Sequence, residues 1–120
     1  MKLEKFTGQG RKVNRHISIT KSSSFGIPPT FYKENDINTK SYVDVYYDKE
    51  EGVIGLVFKD NNEDGGFKIQ KYGKGDSIGA NIIARSFFKT YKFDQGEIKG
   101  RYMPEKIVDP KIGIIYLLHI

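Results

Sequence analysis

The side chains that could do covalent chemistry in this 120-residue chain are few and far apart. Cysteine is absent, which removes disulfides, a thiolate nucleophile and sulfur ligation of metals. His16 and His119 stand at opposite ends of the chain, and no third ligand falls at metal-site spacing from either. Ser22, Ser23 and Ser24 lack the glycine frame of a nucleophile elbow and a neighbouring base. Glu50, Glu51, Glu63 and Asp64 fall in turn-like stretches, where hydration accounts for them. Asp60, Asn62, Asp64 and Gly65 open like a calcium loop, but the position for the closing bidentate glutamate holds Lys71, whose charge repels the metal. Gly73, Gly75 and Gly79 lack the Gly-Lys-Ser/Thr ending of a phosphate loop and fit a hairpin tip. These residues point away from an enzyme, a cofactor and a bound metal.

The chemistry that does stand out is cationic. The net charge is +5, and its placement is uneven. Residues 11–33 carry Arg11, Lys12, Arg15, Lys21 and Lys33 and no acid. Residues 65–93 carry Lys68, Lys71, Lys74, Arg85, Lys89 and Lys92 against the single acid Asp76. Between the two runs, residues 34–64 hold nine acids and three lysines. Two basic runs separated by an acidic one suit a polyanionic partner met by one extended positive surface, provided the fold brings the runs together.

The elements that must position these cations are short strands and two short helices. Residues 17–19 and 25–27 alternate as strands about a serine turn and form a hairpin. Pro28 and Pro29 stop that ladder, having no N–H to offer, and Pro29 suits the first turn of a helix over residues 30–35 with Phe31 buried. Residues 42–47 and 53–58 form two more strands around a turn at 48–52, with Val43 and Val45 sharing one face. After a polar linker at 59–66, the same order returns. Residues 67–70 and 78–83 make a hairpin with a glycine-rich tip, 85–92 a helix, 101–108 a strand forced to an edge or bulge by Pro104, and 113–120 a last strand apolar on both faces.

The recurrence extends to individual positions. Ile27, Phe31, Tyr32, Lys33 and Ile37 lie over Ile83, Phe87, Phe88, Lys89 and Phe93 without a gap, and Asp48 and Gly52 lie over Asp109 and Gly113. The spacing predicts an internal duplication: a basic N-terminal arm (1–16), a first β-β-α-β-β repeat (17–58), a linker (59–66), and a second repeat (67–120) sharing one core with the first, since the chain is too short for two ordinary domains.

The stretch ITKSSSFGIPPTFYKENDI, residues 19–37, resembles the swapped-hairpin signature of the AbrB, SpoVT and MazE family of DNA-binding proteins. Ile27-Pro28 falls on the family's Ile-Pro, Phe31 on its buried helix leucine, Tyr32 and Lys33 on a pair that is often basic, and Ile37 on the apolar residue closing the helix. Ser23-Ser24 stands where that family carries Gly-Arg, and Ala84 replaces the proline in the second half. The resemblance implies a mainly β (α+β) fold, a pseudo-twofold β-barrel of two interleaved repeats, and DNA contact through hairpin tips and helix starts.

The expectation is therefore a duplex-DNA-binding protein, a transcriptional regulator or antitoxin-like module, touching phosphates through Arg11, Arg15, Lys21, Lys33, Lys71, Lys74, Arg85 and Lys89. Two alternatives stand beside it. One is a single-stranded DNA or RNA binder that uses the same lysines and stacks bases on Tyr42, Tyr46 or Tyr72. The other is an interaction module whose acidic segment, residues 34–64, meets a basic protein partner. The chain is expected to work as a monomeric pseudo-dimer or a homodimer. With no apolar run of membrane-spanning length and no apolar signal segment in MKLEKFTGQGRK, it is expected to be cytoplasmic and free of membrane.

Overall fold

The computed structural model describes residues 1–4, 14–63 and 65–120, so Arg11 and Asp64 lie outside the described residues. Strands Ile17–Ile19 (β1) and Ser24–Ile27 (β2) bury Ile17, Ile19, Phe25 and Ile27, alternate residues on one face. Their turn is closed by the Thr20 N–H donating to the Ser24 carbonyl at 2.9 Å, with Ser23 in the left-handed region at φ 63. Pro28 is extended and Pro29 opens helix α1 (Pro29–Glu34), where the absent N–H leaves nothing unpaired. A 3-10 turn at Ile37–Thr39 leads to Tyr42–Asp48 (β3) and Val53–Lys59 (β4), which pair along their whole length.

The second half runs Phe67–Lys68 (β5), Gln70–Tyr72 (β6), a 3-10 turn at Gly75–Ser77, Gly79–Ile83 (β7) and helix α2 (Arg85–Thr90). Helix α3 (Gln95–Ile98), Gly100–Tyr102 (β8), Glu105–Asp109 (β9) and Gly113–His119 (β10) complete it. The single strand expected over 101–108 is thus two. Pro104 has no N–H for a ladder, and at Met103-Pro104 the chain leaves one sheet for the other. Helix α3 was not expected, although Asp94 caps it: its Oδ1 accepts from the Gly96 N–H at 2.9 Å and the Glu97 N–H at 3.3 Å.

The strands form two five-stranded antiparallel sheets, ordered β6-β7-β2-β1-β8 and β5-β3-β4-β10-β9. Strands of both halves meet inside each, β2 beside β7 and β4 beside β10. Their inner faces share one core, in which Phe25, Ile27, Phe31, Ile54 and Leu56 lie with Ile82, Phe87, Phe88, Tyr116 and Leu118. The ladders do not run round into the closed barrel expected from the sequence. At each edge the chain bends from sheet to sheet, at Met103-Pro104 between β8 and β9, and at Ile69 between β5 and β6. Ile69 buries its side chain at 4 % exposure and donates its N–H to the Ser41 carbonyl, outside either ladder. The last strand is interior as expected, yet only its inner face reaches the core: Tyr116 and Leu118 join it, while Ile115 and Leu117 line the outer surface near Gly55 and Tyr46.

The β2–β7 ladder has its own local twofold. It pairs Ser24 with Ile83, Phe25 with Ile82, Gly26 with Asn81 and Ile27 with Ala80. Under the repeat that lays Ile27 on Ile83, the first pair maps onto the last. The helix corners repeat as well: Asn35 and Tyr91 end α1 and α2, and the next residues, Asp36 and Lys92, both take left-handed backbone at φ 52 and φ 54. No described helix is long and apolar enough to cross a membrane.

Candidate nucleic-acid interface

Because β2 and β7 are antiparallel neighbours, the two hairpin tips lie at opposite ends of their ladder. The expected single positive surface is therefore divided between two corners. Each corner joins the hairpin tip of one half to the helix of the other. At the first, the Ala84 N–H, just before α2, donates to the Ser23 carbonyl at 3.0 Å. This sets the tip that carries Lys21 beside the helix start that carries Arg85, with Lys89 in the last turn of α2. At the second, the tip carrying Lys74 and Asp76 lies against α1, which carries Lys33, and Lys71 stands at the base of that tip. Arg15 joins the second corner through Glu34, and Arg11 lies outside the described residues.

The corners differ in how much of their charge is already engaged. At the second, Lys33 Nζ pairs with Asp76 at 3.1 Å, and Lys71 Nζ donates to the Asn38 carbonyl at 2.9 Å. Arg15 meets Glu34 through two guanidinium nitrogens, at 2.7 and 3.1 Å. That hydrogen bond holds the Glu34 carboxyl below the usual range and raises Arg15 above its own. At the first corner, Lys21, Arg85 and Lys89 are exposed and have no ion-pair or hydrogen-bond partner among the described residues. Lys74 is likewise exposed and unpaired within that set.

The hydroxyls of the first tip point to its compactness. Thr20 Oγ1 lies 3.1 Å from Ser22 Oγ and 2.6 Å from Ser24 Oγ, a short network that fixes the turn without any side chain of Gly-Arg type. The second tip is longer and leans on α1 instead.

The tyrosines proposed for stacking do not share a surface. Tyr42 and Tyr46 alternate with buried Val43 and share the outer face of the β3 sheet with Asp44 and Asp48, acids that oppose a phosphate chain. Tyr72 lies on the outer face of the β7 sheet. Within the acidic segment, Glu34 is paired with Arg15, Asp44 with Lys59 at 2.9 Å, and Asp48 accepts from the Glu51 N–H in its turn, so part of that charge is engaged locally. His119, which sequence left without a carboxylate, lies 3.2 Å from Glu105 on the neighbouring strand β9.

Comparison with protein families, with curated proteins and with solved structures finds no match to this chain.

Proposed function

We propose that this chain binds duplex DNA as a covalent counterpart of a hairpin-exchanged dimer, serving as a transcriptional regulator or antitoxin-like module. The observation that carries this reading is the pair of tip-and-helix corners placed about the local twofold of the β2–β7 ladder, each presenting cations to solvent. A duplex offers two phosphate strands with twofold symmetry of their own, so two symmetric basic corners meet it without a long groove. Lys21, Arg85 and Lys89 are ready to displace counterions as they stand; Lys33 is held only by an exposed pair that water screens and a phosphate can replace. These contacts fix position and supply affinity, and carry no sequence preference by themselves.

The test is fluorescence anisotropy with duplex and single-stranded probes across a salt series. Duplex binding should weaken linearly on a log–log plot, with a slope of about −0.9 per phosphate neutralised. The double variant Lys21→Glu with Arg85→Glu should flatten that slope by about 2 and keep its thermal melt. Unchanged binding by a folded double variant, or preference for the single strand, would overturn the proposal. Indifference to nucleic acid would move the reading to the protein-interaction alternative.

A further inference from the structure

A second polar surface lies on the outer face of the β7 sheet and reaches the base of the second tip at Tyr72. The register places Gln70, Asn81, Gly26, Ser18 and Arg101 in one row across all five strands. The row is polar and ends in a cation. Where it meets Pro28 and Tyr72 it deepens into a cavity of about 240 Å³, whose lining also includes Asn14 and His16. No carboxylate among the described residues lines it. The cavity between α1 and the second tip, about 260 Å³, is by contrast net acidic, with Asp36 and Asp76 in its lining against Lys33.

Two glycines give this cavity its form. A Cβ on Gly79 would stand 2.7 Å from the Tyr72 hydroxyl and 2.9 Å from its ring carbon Cζ, so the phenol lies across the backbone of the next strand. A Cβ on Gly26 would collide with Ser18 Oγ, which thus crosses the floor. Tyr72 remains 52 % exposed, and the buried Pro28 adds a rigid apolar wall. The side chains of Arg101, Tyr72 and Ser18 have no hydrogen-bond partner among the described residues, whereas Asn14 and His16 hold one another, with Asn14 Oδ1 3.3 Å from His16 Nδ1.

We infer that this cavity binds a nucleoside monophosphate, with the phosphate at Arg101 and the base against Tyr72. An aromatic ring lying over a glycine offers a stacking plane, and an unpaired guanidinium among neutral polar groups selects a tetrahedral oxyanion such as a phosphate over a cation. The volume falls below that of drug-sized pockets, which limits the occupant to a single such unit. The inference does not depend on duplex binding, because none of Lys21, Arg85, Lys89 or Lys33 lines the cavity.

Amide and guanidinium resonances followed by two-dimensional NMR test it on the full chain, titrated in parallel with adenosine monophosphate, uridine monophosphate, adenosine and inorganic phosphate. A monophosphate should move the Gly26, Gly79 and Ser18 amides and Arg101 Nε. Arg101→Gln should weaken the effect about tenfold, as expected for losing a hydrogen bond to a charged group. Tyr72→Ala should weaken it by about tenfold as well. The remaining spectrum of each variant should keep its dispersion. Silence of these amides at millimolar nucleotide would overturn the proposal, as would equal shifts from inorganic phosphate alone, or nucleotide binding that Arg101→Gln leaves unchanged. Loss of duplex binding in Lys21→Glu with Arg85→Glu, with these shifts intact, would separate the two sites.

Discussion

The two helix corners use one backbone and fill it differently. Both helices are six residues long, both end in a residue that precedes left-handed backbone, and both are anchored by a phenylalanine at the same repeat position, Phe31 and Phe87. Around Phe87 five other rings gather, Phe25, Tyr47, Phe88, Tyr91 and Phe93, with centroids 4.8 to 6.5 Å apart in the cluster's pairs and a preference for tilted and edge-on contacts. Around Phe31 the ring partners among the described residues are Phe58 and Tyr116, and a polar link stands beside them. The Tyr116 hydroxyl donates to Asn35 Oδ1 at 2.9 Å, while Asn35 Nδ2 donates to the Phe31 carbonyl at 2.9 Å. Charge follows much the same division among the described residues, with Lys33, Lys71 and Arg15 engaged around α1, where Lys74 stays unpaired, and Lys21, Arg85 and Lys89 unengaged around α2. The two corners share what the backbone needs, the anchor and the turn. The corner that can hold itself together with apolar packing leaves its cations to solvent.

If that division is real, the largest effect comes from emptying the aromatic corner. Phe87→Ala removes a ring that touches the rest of its cluster and leaves a cavity its neighbours cannot all collapse into. It should destabilise the chain by about 3–5 kcal/mol, measured by urea denaturation. Phe31→Ala should cost less, because its site is bounded by fewer rings and opens toward a half-exposed polar link. Equal losses at the two anchors would erase the asymmetry.

An intermediate effect belongs to the polar link. Tyr116→Phe keeps the ring contacts with Phe31 and Phe58 and strands Asn35 Oδ1, at a cost of about 1 kcal/mol. Burial, then the nearby Asp36 charge, raises the Tyr116 hydroxyl above its ordinary range; burial raises Tyr32 and Tyr102 too. Since the folded state holds these protons more tightly than the unfolded one, their contribution is complete below the unfolded value and is lost as pH rises through the folded one. Denaturation midpoints should therefore fall once pH passes about 10, and fall less steeply in Tyr116→Phe. A midpoint that stays level through that window in the unmodified chain would contradict the assignment.

Much of this was legible in residues whose demands are local. Pro29 could only begin a helix, the alternation of Val43 and Val45 could only be a half-buried strand, and the recurrence of Phe31 at Phe87 marked both anchors. The left-handed turns at Asp36 and Lys92 were not visible, because neither residue is the glycine that usually announces such backbone. Helix α3 does carry a local signal, an aspartate at 94 and a glutamate three residues on, but at four residues it is too short for apolar periodicity to mark it. The sites were the least legible part. Lys33 and Asp76 are 43 residues apart, and their pairing follows only from the crossing of each hairpin to the other helix. Arg101, Ser18 and Tyr72 come from three strands whose neighbours the sequence does not name. The division of the cations between two corners has a topological reason that the sequence does not name, since hairpins joined through antiparallel β2 and β7 send their tips to opposite ends of the ladder.

The smallest effect on stability is the sharpest test of the division between corners. Asp76→Asn removes the partner of Lys33 while keeping the shape of the tip. The pair is exposed on both sides, 69 % and 90 % of each side chain, so its loss should change stability by less than about 0.5 kcal/mol. Its effect on binding should run the other way from an ordinary lesion. With Lys33 released, the α1 corner adds a second unengaged cation to Lys74 and comes nearer to the α2 corner, and duplex affinity should rise, with the salt dependence steeper by about one counterion. The matching change at the α2 corner has nothing to release, because Lys21, Arg85 and Lys89 have no acidic partner among the described residues. A rise in affinity confined to Asp76→Asn would tie the difference between the corners to function; no change, in a variant that melts like its parent, would make the Lys33 pairing a surface detail.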